Sequence, residues 1–360
     1  MTTIVLCGGA GTRLWPVSKS DLPKQFCDLL GGPSLFERTI ARNAALGGRF
    51  VVVTNRAHRE AAREQFGRSA PAGSRVEYLL EPAGRNTAPA IALACLGLPP
   101  EETVLVVPSD HLVADEAAYL EAAGKALEAA DDGLLATFGI APEYPETGFG
   151  YIEAGERPAG KPYLKVAAFR EKPDRPTAEA YLASGRHFWN SGMFAFRAGA
   201  FLEELGRLAP AILEASRTAR AKAILESGDG GRESTLRVAE ADMLAIPSDS
   251  IDYAVMEKSR LAATVPASFG WSDLGSFDAL YAARAKDGDG NALSKGVVSV
   301  ASKGCLALAN GRTVVLAGVE DLVVVETPQA ILVVKRGETQ LVKAAVDAVK
   351  AAGGKERGLL

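Results

Sequence analysis

Cysteine and histidine are scarce in this sequence. Cys7, Cys27, Cys95 and Cys305 are its four cysteines, and His58, His111 and His187 its three histidines, in 360 residues. The cysteines are scattered, with no CxxC pair, which excludes a disulfide scaffold and a structural zinc module. The histidines form no Ser-His-Asp or Cys-His arrangement for nucleophilic catalysis. An excess of one charge is missing too. Forty Lys+Arg stand against forty-four Asp+Glu, a net charge of −4, so neither a nucleic-acid partner nor an acidic tail is expected. The apolar runs are short. Ile4–Cys7 and Val104–Val107 fall far below the ~18 residues needed to cross a bilayer. No basic segment or cleavage site follows Met1, so no membrane partner is expected and a cytoplasmic location is. What is present is 48% apolar and 23% charged residues, enough for a sizeable core in a globular α/β protein. The length suggests two domains, or one with an appendage.

Apolar strands alternate with helical stretches over the first part of the chain. Thr3–Cys7, Phe50–Thr54, Val104–Val107 and Leu134–Phe138 are unbroken apolar runs, the pattern of strands buried on both faces of a parallel sheet. Between them, Ser34-Leu-Phe-Glu37 is a capping box that opens a helix to about Leu46, and Arg56–Phe66 and Asp115–Ala130 are further helices. This alternation predicts a doubly wound, mainly parallel sheet with ligands outside the strand C-termini. Residues 140–197, rich in Pro, Gly and aromatics, read as a lid or substrate layer of shorter strands, and 200–285 as a return to helices. After Lys286-Asp-Gly-Asp-Gly-Asn291 the pattern changes. Gly296–Val300, Cys305–Ala309, Thr313–Leu316, Leu322–Glu326 and Ile331–Val334 read as short strands, closed by a polar helix from about Glu338 to Ala352. The expected division is a catalytic domain over 1–285 and an all-β module with its helix over 286–360.

The chemistry concentrates at loop ends. Gly8-Gly9-Ala10-Gly11-Thr12-Arg13 directly follows the first strand. Small residues let backbone N–H groups approach a polyanion, and Arg13 adds a fixed charge. A P-loop would need Gly-Lys-Ser/Thr after four spacers, and a dinucleotide fingerprint a glycine where Leu14 stands; neither is met. Lys24, in Pro23-Lys24-Gln25-Phe26, is positioned to return to the same loop as a second cation, or else lies solvated on a turn. Glu81–Pro89, a polar run before an apolar helix, suits the edge of a base, though Asn86 or Thr87 equally suits a simple cap. Asp110 ends a buried strand and Asp273 sits between glycines. Two carboxylates plus phosphate oxygens make the usual shell of Mg²⁺, while a helix cap and a turn are the bland alternatives. His111 reads as structural. Glu171 and Asn190 suit sugar hydroxyls and Lys172 a sugar phosphate, against ordinary strand ends and turns.

Together these segments resemble the nucleotide-sugar pyrophosphorylase family, and within it the short, monofunctional mannose-1-phosphate guanylyltransferases. The general signature is met by Gly8–Leu14 and Pro23-Lys24. The narrower resemblance rests on Leu14-Trp15-Pro16, Pro23–Phe26, Glu81–Pro89, Val107–His111, Phe138–Pro142, Thr147–Ile152, Trp189–Met193, Ser250–Tyr253 and Trp271–Gly275. It covers about residues 2–335. Phe149 stands where the family often has Tyr, and Val17 and Lys19 replace the more usual Leu and Arg. Longer members carry a C-terminal cupin domain; this chain ends before one, so the isomerase activity is not expected.

The resemblance implies a Rossmann-like nucleotidyltransferase domain with a mainly parallel sheet, followed by a small left-handed β-helix-like module, and a homodimer. It implies that GMP passes from GTP to mannose 1-phosphate, giving GDP-mannose and diphosphate, with Mg²⁺ on Asp110 and Asp273. Arg13 and Lys24 would be catalytic. Gly8, Gly9, Ala10, Gly11, Thr12, Arg85, Asn86 and Thr87 would hold the nucleotide, and Gly148, Glu171, Lys172, Asn190 and Asp252 the sugar phosphate. Two alternatives stay open: a glucose-1-phosphate thymidylyl- or uridylyltransferase, and a non-catalytic subunit that binds nucleotide sugar without turnover.

Overall fold

The computed structural model describes residues 1–9 and 12–353. Strands β1 (Thr2–Cys7), β2 (Arg49–Asn55), β3 (Arg75–Glu81) and β4 (Thr103–Pro108) lie parallel at the centre of one large sheet. In β1, β2 and β4 the residues alternate between two buried faces, which is why those runs read as continuously apolar. On one face Ile4, Val51, Val53, Val104 and Val106 pack against helix α3 (Thr87–Cys95). On the other, Val5, Val52, Leu105 and Val107 pack against α1 (Leu35–Ala44), α2 (Arg59–Ser69) and α4 (Glu116–Asp131). The expected capping box is formed: Ser34 Oγ accepts from the Glu37 amide at 3.1 Å, and Glu37 Oε2 accepts from that of Ser34 at 2.8 Å.

Beyond β4 come the two-residue strand β5 (Leu112–Val113), then β6 (Leu135–Ile140), β7 (Tyr151–Ala154), β8 (Leu164–Arg170), β9 (His187–Arg197), β10 (Ile224–Gly228), β11 (Glu233–Arg237) and β12 (Ala262–Ala267). The eleven-stranded order is β10-β11-β3-β2-β1-β4-β9-β6-β12-β8-β7. It is parallel from β11 to β4 and mixed beyond. Two expectations are corrected here. Residues 140–197 are not only a lid, because β9 is inserted between β4 and β6, deep in the sheet. Its second half, Met193-Phe194-Ala195-Phe196, is fully apolar and buried, while the polar Asn190-Ser191-Gly192 before it masks the strand. Residues 200–285 are not purely helical either. Helix α5 (Arg175–Ser184) precedes β9, and α6 (Ala198–Leu208), α7 (Pro210–Lys222) and α8 (Glu240–Leu244) are interleaved with β10, β11 and β12. Strand β10 is solvent-exposed throughout, so hydrophobicity carries no signal for it.

After β13 (Trp271–Ser272) and α9 (Phe277–Ala283), the chain enters β14 (Ala292–Leu293), β15 (Val297–Val300), β16 (Leu306–Ala309), β17 (Val314–Ala317), β18 (Leu322–Glu326) and β19 (Ile331–Lys335), and closes with α10 (Leu341–Ala351). Alternate strands stack in parallel, Ala292 on Leu306 on Val323 along one side and Val297 on Val314 along another, and β19 returns antiparallel to β18. A short-strand chain that winds and stacks on itself forms a coil of β-structure. Asn291, 1% exposed, pins its first turn. Its Nδ2 donates to the Ser302 carbonyl at 2.9 Å, and its Oδ1 accepts from the Cys305 amide at 2.9 Å. The junction at 286–291 is therefore a fixed corner.

Candidate active site

The candidate residues collect at the C-terminal ends of β1, β3 and β4, where an open α/β sheet exposes backbone N–H groups and loops. A Cβ placed at Gly8 or Gly9 would meet nothing within 4 Å, and Gly9 has φ +93°, which only glycine adopts without strain. The turn thus offers bare backbone to the space above β1. Ala10 and Gly11 lie outside the described residues, and of Thr12 only the backbone enters, opening a 3₁₀ turn at Thr12–Leu14. Leu14 and Trp15 are buried. The exposed Arg13 beside them lines a cavity of about 280 Å³ with Leu14, Lys24, Asp110, His111 and Asp273.

Lys24 is no solvated turn lysine: it is 4% exposed. Its Nζ meets Asp110 Oδ2 at 2.8 Å and donates to the Asp273 carbonyl, so one buried cation ties together loops far apart in sequence. A buried ammonium requires such partners. Burial alone would raise the Asp110 carboxyl, but the Lys24 ammonium and His111 outweigh it and hold Asp110 below the usual range. Asp110 does not cap the following helix; Asp115 does, accepting from the Ala118 amide at 2.9 Å. Burial lowers His111 against the pull of Asp110. Trp271 Nε1 donates to its Nδ1 at 3.2 Å, leaving the proton of the neutral ring on Nε2. Asp273 is both a turn residue and a cavity residue. Its Oδ1 accepts from the Gly275 amide at 3.1 Å, and Leu274 between them holds φ +43°.

Among the described residues no group of three or more His, Cys, Asp and Glu side chains is arranged for a metal. Asp110 and Asp273 instead present two hard carboxylates to one cavity. That donor set suits a hard cation whose remaining ligands are water and substrate phosphate, and not a closed zinc site.

A second cavity, of about 400 Å³, adjoins the first and shares Asp110 and His111 with it; Gly8, Gly9, Glu81, Asn86, Thr87 and Asp252 also line it. Asn86 takes φ +70° and caps α3, its Oδ1 accepting from the Thr87 amide at 2.9 Å. Thr87 Oγ1 accepts from the Ile251 amide at 2.9 Å. Arg85 is not among the lining residues; its Nε donates to the Ile246 carbonyl at 2.6 Å and ties down the loop. Sequence reasoning placed Glu81 in the polar run suited to a base edge but gave it no role of its own. Its Oε1 is buried with no hydrogen-bond partner among the described residues, and burial pushes the carboxyl up to about 7. The overlooked signal was positional: like Asp110, Glu81 is an acid at the C-terminal end of a buried strand.

The proposed sugar-side residues divide. Asn190 Nδ2 donates to Asp252 Oδ1 at 2.8 Å, and Thr137 Oγ1 donates to Asn190 Oδ1 at 3.0 Å, fixing the amide's orientation. Burial, and then the neighbouring Glu171, raise Asp252 to about 7. Glu171 pairs with Lys172 Nζ at 3.1 Å through Oε1, while its Oε2 is buried without a partner among the described residues. That oxygen and Asn190 leave no room for a Cβ at Gly150. Lys172 is mostly exposed and holds φ +48°. The Gly148 amide turns inward to its own loop, donating to Glu146 Oε1 at 2.8 Å.

Residues 2–290 match the nucleotidyl transferase family model and residues 295–349 the MannoseP isomerase/GMP-like β-helix domain. The chain is 45% identical over 357 residues to the xanthan biosynthesis protein XanB of Xanthomonas campestris, covering 98% of this chain and 74% of that protein. It is 42% identical over 362 residues to a mannose-1-phosphate guanylyltransferase of Escherichia coli K12, with the same two shares. A crystal structure from Thermus thermophilus, described as a mannose-1-phosphate geranyltransferase, superposes with a TM-score of 0.81 at 33% identity, covering 97% of this chain and 99% of that one.

Proposed function

The chain belongs to the nucleotidyl transferase family, and from that premise we propose that it is a mannose-1-phosphate guanylyltransferase, moving GMP from GTP to α-D-mannose 1-phosphate with release of diphosphate. The observation that carries this reading is the single cavity lined by Arg13, Lys24, Asp110 and Asp273, opening beside the Glu81 cavity. The nucleophile, a phosphate oxygen of the sugar phosphate, is already anionic near neutral pH, so no general base is needed. The difficulty is to bring two polyanions together and to stabilise charge at the α-phosphorus as diphosphate departs in line. Arg13 and the Gly8–Gly9 backbone draw the triphosphate into place. Lys24, held by Asp110 and the Asp273 carbonyl, waits as a fixed charge that needs no reorganisation. Asp110 and Asp273 would hold Mg²⁺, which supplies charge neutralisation and fixes phosphate geometry.

The base cavity favours guanine. Guanine presents N1–H and N2–H₂ side by side, and the Glu81 carboxylate, whose buried Oε1 has no partner among the described residues, is the complementary acceptor pair. Adenine offers an acceptor at N1 instead and leaves the carboxylate unsatisfied. Asn86 and Thr87 flank the base and ribose, and Arg85 serves through the loop it fastens. Asn190, Asp252 and Glu171 read mannose hydroxyls, with Lys172 on its phosphate and Gly148 beside them. A homodimer and a cytoplasmic setting complete the proposal; no helix among the described residues is long and apolar enough to cross a membrane. The test is diphosphate release with Mg²⁺, crossing GTP, dTTP, UTP and ATP with mannose 1-phosphate and glucose 1-phosphate. Release mainly from GTP with mannose 1-phosphate is expected. Release with dTTP or UTP and glucose 1-phosphate would overturn the specificity. Silence with every pair, from a folded protein that binds GTP, would favour a non-catalytic subunit.

A further inference from the structure

Both reactive loops are seated on the C-terminal module. Leu14, next to Arg13, and Leu274, next to Asp273, are buried in one apolar cluster with Leu306, Val323, Leu332, Val342 and Val346. Helix α10 packs directly on the Thr12–Leu14 turn, and Val342 and Val346, one helical turn apart, form its buried stripe. Leu274 is fully buried yet holds φ +43°. That conformation is strained for a residue with a side chain, and it persists where packing over-determines it. The strain aims Asp273 at the cavity. The helix that follows is clamped from the other side. Asp278, in the first turn of α9, accepts from the Gly337 amide through Oδ1 at 3.0 Å and from Thr339 Oγ1 through Oδ2 at 2.6 Å. Both donors sit at the entry to α10. The Arg336 guanidinium stacks over the Tyr281 ring of α9 at 3.6 Å.

We propose that the module and α10 form a positioning brace for the Arg13 and Asp273 loops, with Val346, Leu274 and Asp278 as positioning residues for phosphoryl transfer. A loop braced on one side only would let Arg13 and Asp273 drift relative to Lys24. Misplacement by about an ångström is enough to cost rate while leaving recognition of the base and sugar intact. This inference rests on the reading of the cavity as the active site, so its test needs a readout that does not depend on turnover. Val346→Ala trims the brace under the Arg13 turn. Leu316→Ala is the control, because Leu316 lies in a separate apolar cluster of the module with Cys305 and Ala307.

In the full chain, Val346→Ala is expected to lower kcat at least fivefold with KM for GTP and mannose 1-phosphate within threefold. Amide hydrogen exchange over 12–18 and 272–277 should speed up roughly tenfold, with β1 and β4 unchanged. Leu316→Ala should lose at least as much Tm while kcat stays within twofold. Asp278→Ala should repeat the kcat and exchange pattern, and Asp278→Asn, which retains one acceptor, should recover most of it. Unchanged exchange in both loops of Val346→Ala, or equal kcat losses in Val346→Ala and Leu316→Ala, would overturn the brace. If the unaltered protein releases no diphosphate from any pair, the functional reading fails, and loop exchange alone decides the brace.

Discussion

Replacing Glu81 by Gln should make the protein more stable and a worse enzyme at once. The carboxyl is raised from the ordinary glutamate value of 4.5 to about 7 by burial. An acid whose folded value lies above its unfolded one adds no penalty below pH 4.5, where both states are protonated. The penalty grows as pH rises through 4.5 towards 7 and is full above 7. A shift of that size corresponds to about 3 kcal/mol. Glutamine carries no charge to desolvate, but its amide remains buried without a partner, which takes back about 1–2 kcal/mol. The net gain at pH 8 is therefore on the order of 1–2 kcal/mol, a rise in Tm of roughly 1–3 °C, and at pH 4, where the carboxyl is protonated in both states, it reverses to a loss of about 1–2 kcal/mol.

Activity moves the other way. The carboxylate offers acceptors to both N–H groups of guanine, whereas glutamine offers one acceptor and turns an NH₂ donor towards the second. Losing one charge-assisted bond and creating a donor–donor contact removes about 2–4 kcal/mol, roughly a 30- to 1,000-fold loss in kcat/KM with GTP. Inosine triphosphate lacks the 2-amino group, so the preference for GTP over it should shrink in the variant. The assays are thermal melts at pH 4 and 8 and diphosphate release with the two nucleotides. A variant less stable at pH 8, or one that uses GTP within threefold of the unaltered protein, would refute the reasoning.

Arg13→Ala should lower kcat/KM by roughly 10²–10³-fold with Tm within about 1 °C, because an exposed guanidinium adds little packing; normal turnover would remove Arg13 from the mechanism. Asp273→Asn should raise the Mg²⁺ concentration for half-maximal rate roughly tenfold, and an unchanged titration would leave Asp273 a turn residue only. Thr137→Val removes the hydroxyl that orients Asn190 while keeping its volume. It should raise KM for mannose 1-phosphate roughly fivefold with KM for GTP unchanged, on the scale of one lost hydrogen bond, and an equal rise in both would point to general loosening.

That Arg13, Lys24, Asp110 and Asp273 belong together, as their shared cavity shows, was legible in the sequence because they sit in short, local strings. Gly8–Arg13 follows a continuous apolar strand, and Asp110 ends another. Asp273 lies between glycines. What could not be read was how Lys24 and the Asp273 carbonyl meet, since that contact spans 249 residues. The sheet was legible where both faces are buried and opaque where they are not. Strand β3, Arg75-Val-Glu-Tyr-Leu-Leu-Glu, begins with charge and alternation. Strand β9 carries a register shift in its pairing with β6, between Thr137 and Gly139. With β3 unseen, Glu81 could not be recognised as standing at a strand end. Arg85 was misleading for the opposite reason: a conspicuous cation in a polar run turned out to fasten a loop.

The direction in which each buried acid is shifted separates its role. Asp110 is held down because Lys24 and His111 already answer its charge. Glu81 and Asp252 are pushed up to about 7, and Glu171 is raised as well, by burial. Glu81 and Glu171 each keep one buried oxygen without a partner among the described residues, Asp252 meets Asn190 through Oδ1, and the burial of each costs folding stability until a ligand brings further donors. Binding should therefore release protons. At pH 7 Glu81 and Asp252 are each about half protonated. Guanine N–H and mannose O–H donors favour the charged form and draw both carboxyls down, so filling both subsites should free about one proton in all. Titration calorimetry in buffers of different ionisation enthalpy reads that number directly. GTP alone should release about half a proton near pH 7 and close to none at pH 9, where Glu81 is already ionised. Glu81→Gln should abolish that release while leaving the share that mannose 1-phosphate draws from Asp252. Enthalpies independent of buffer at pH 7 would show that neither carboxyl meets a ligand donor, and the assignment of these acids to base and sugar would fall.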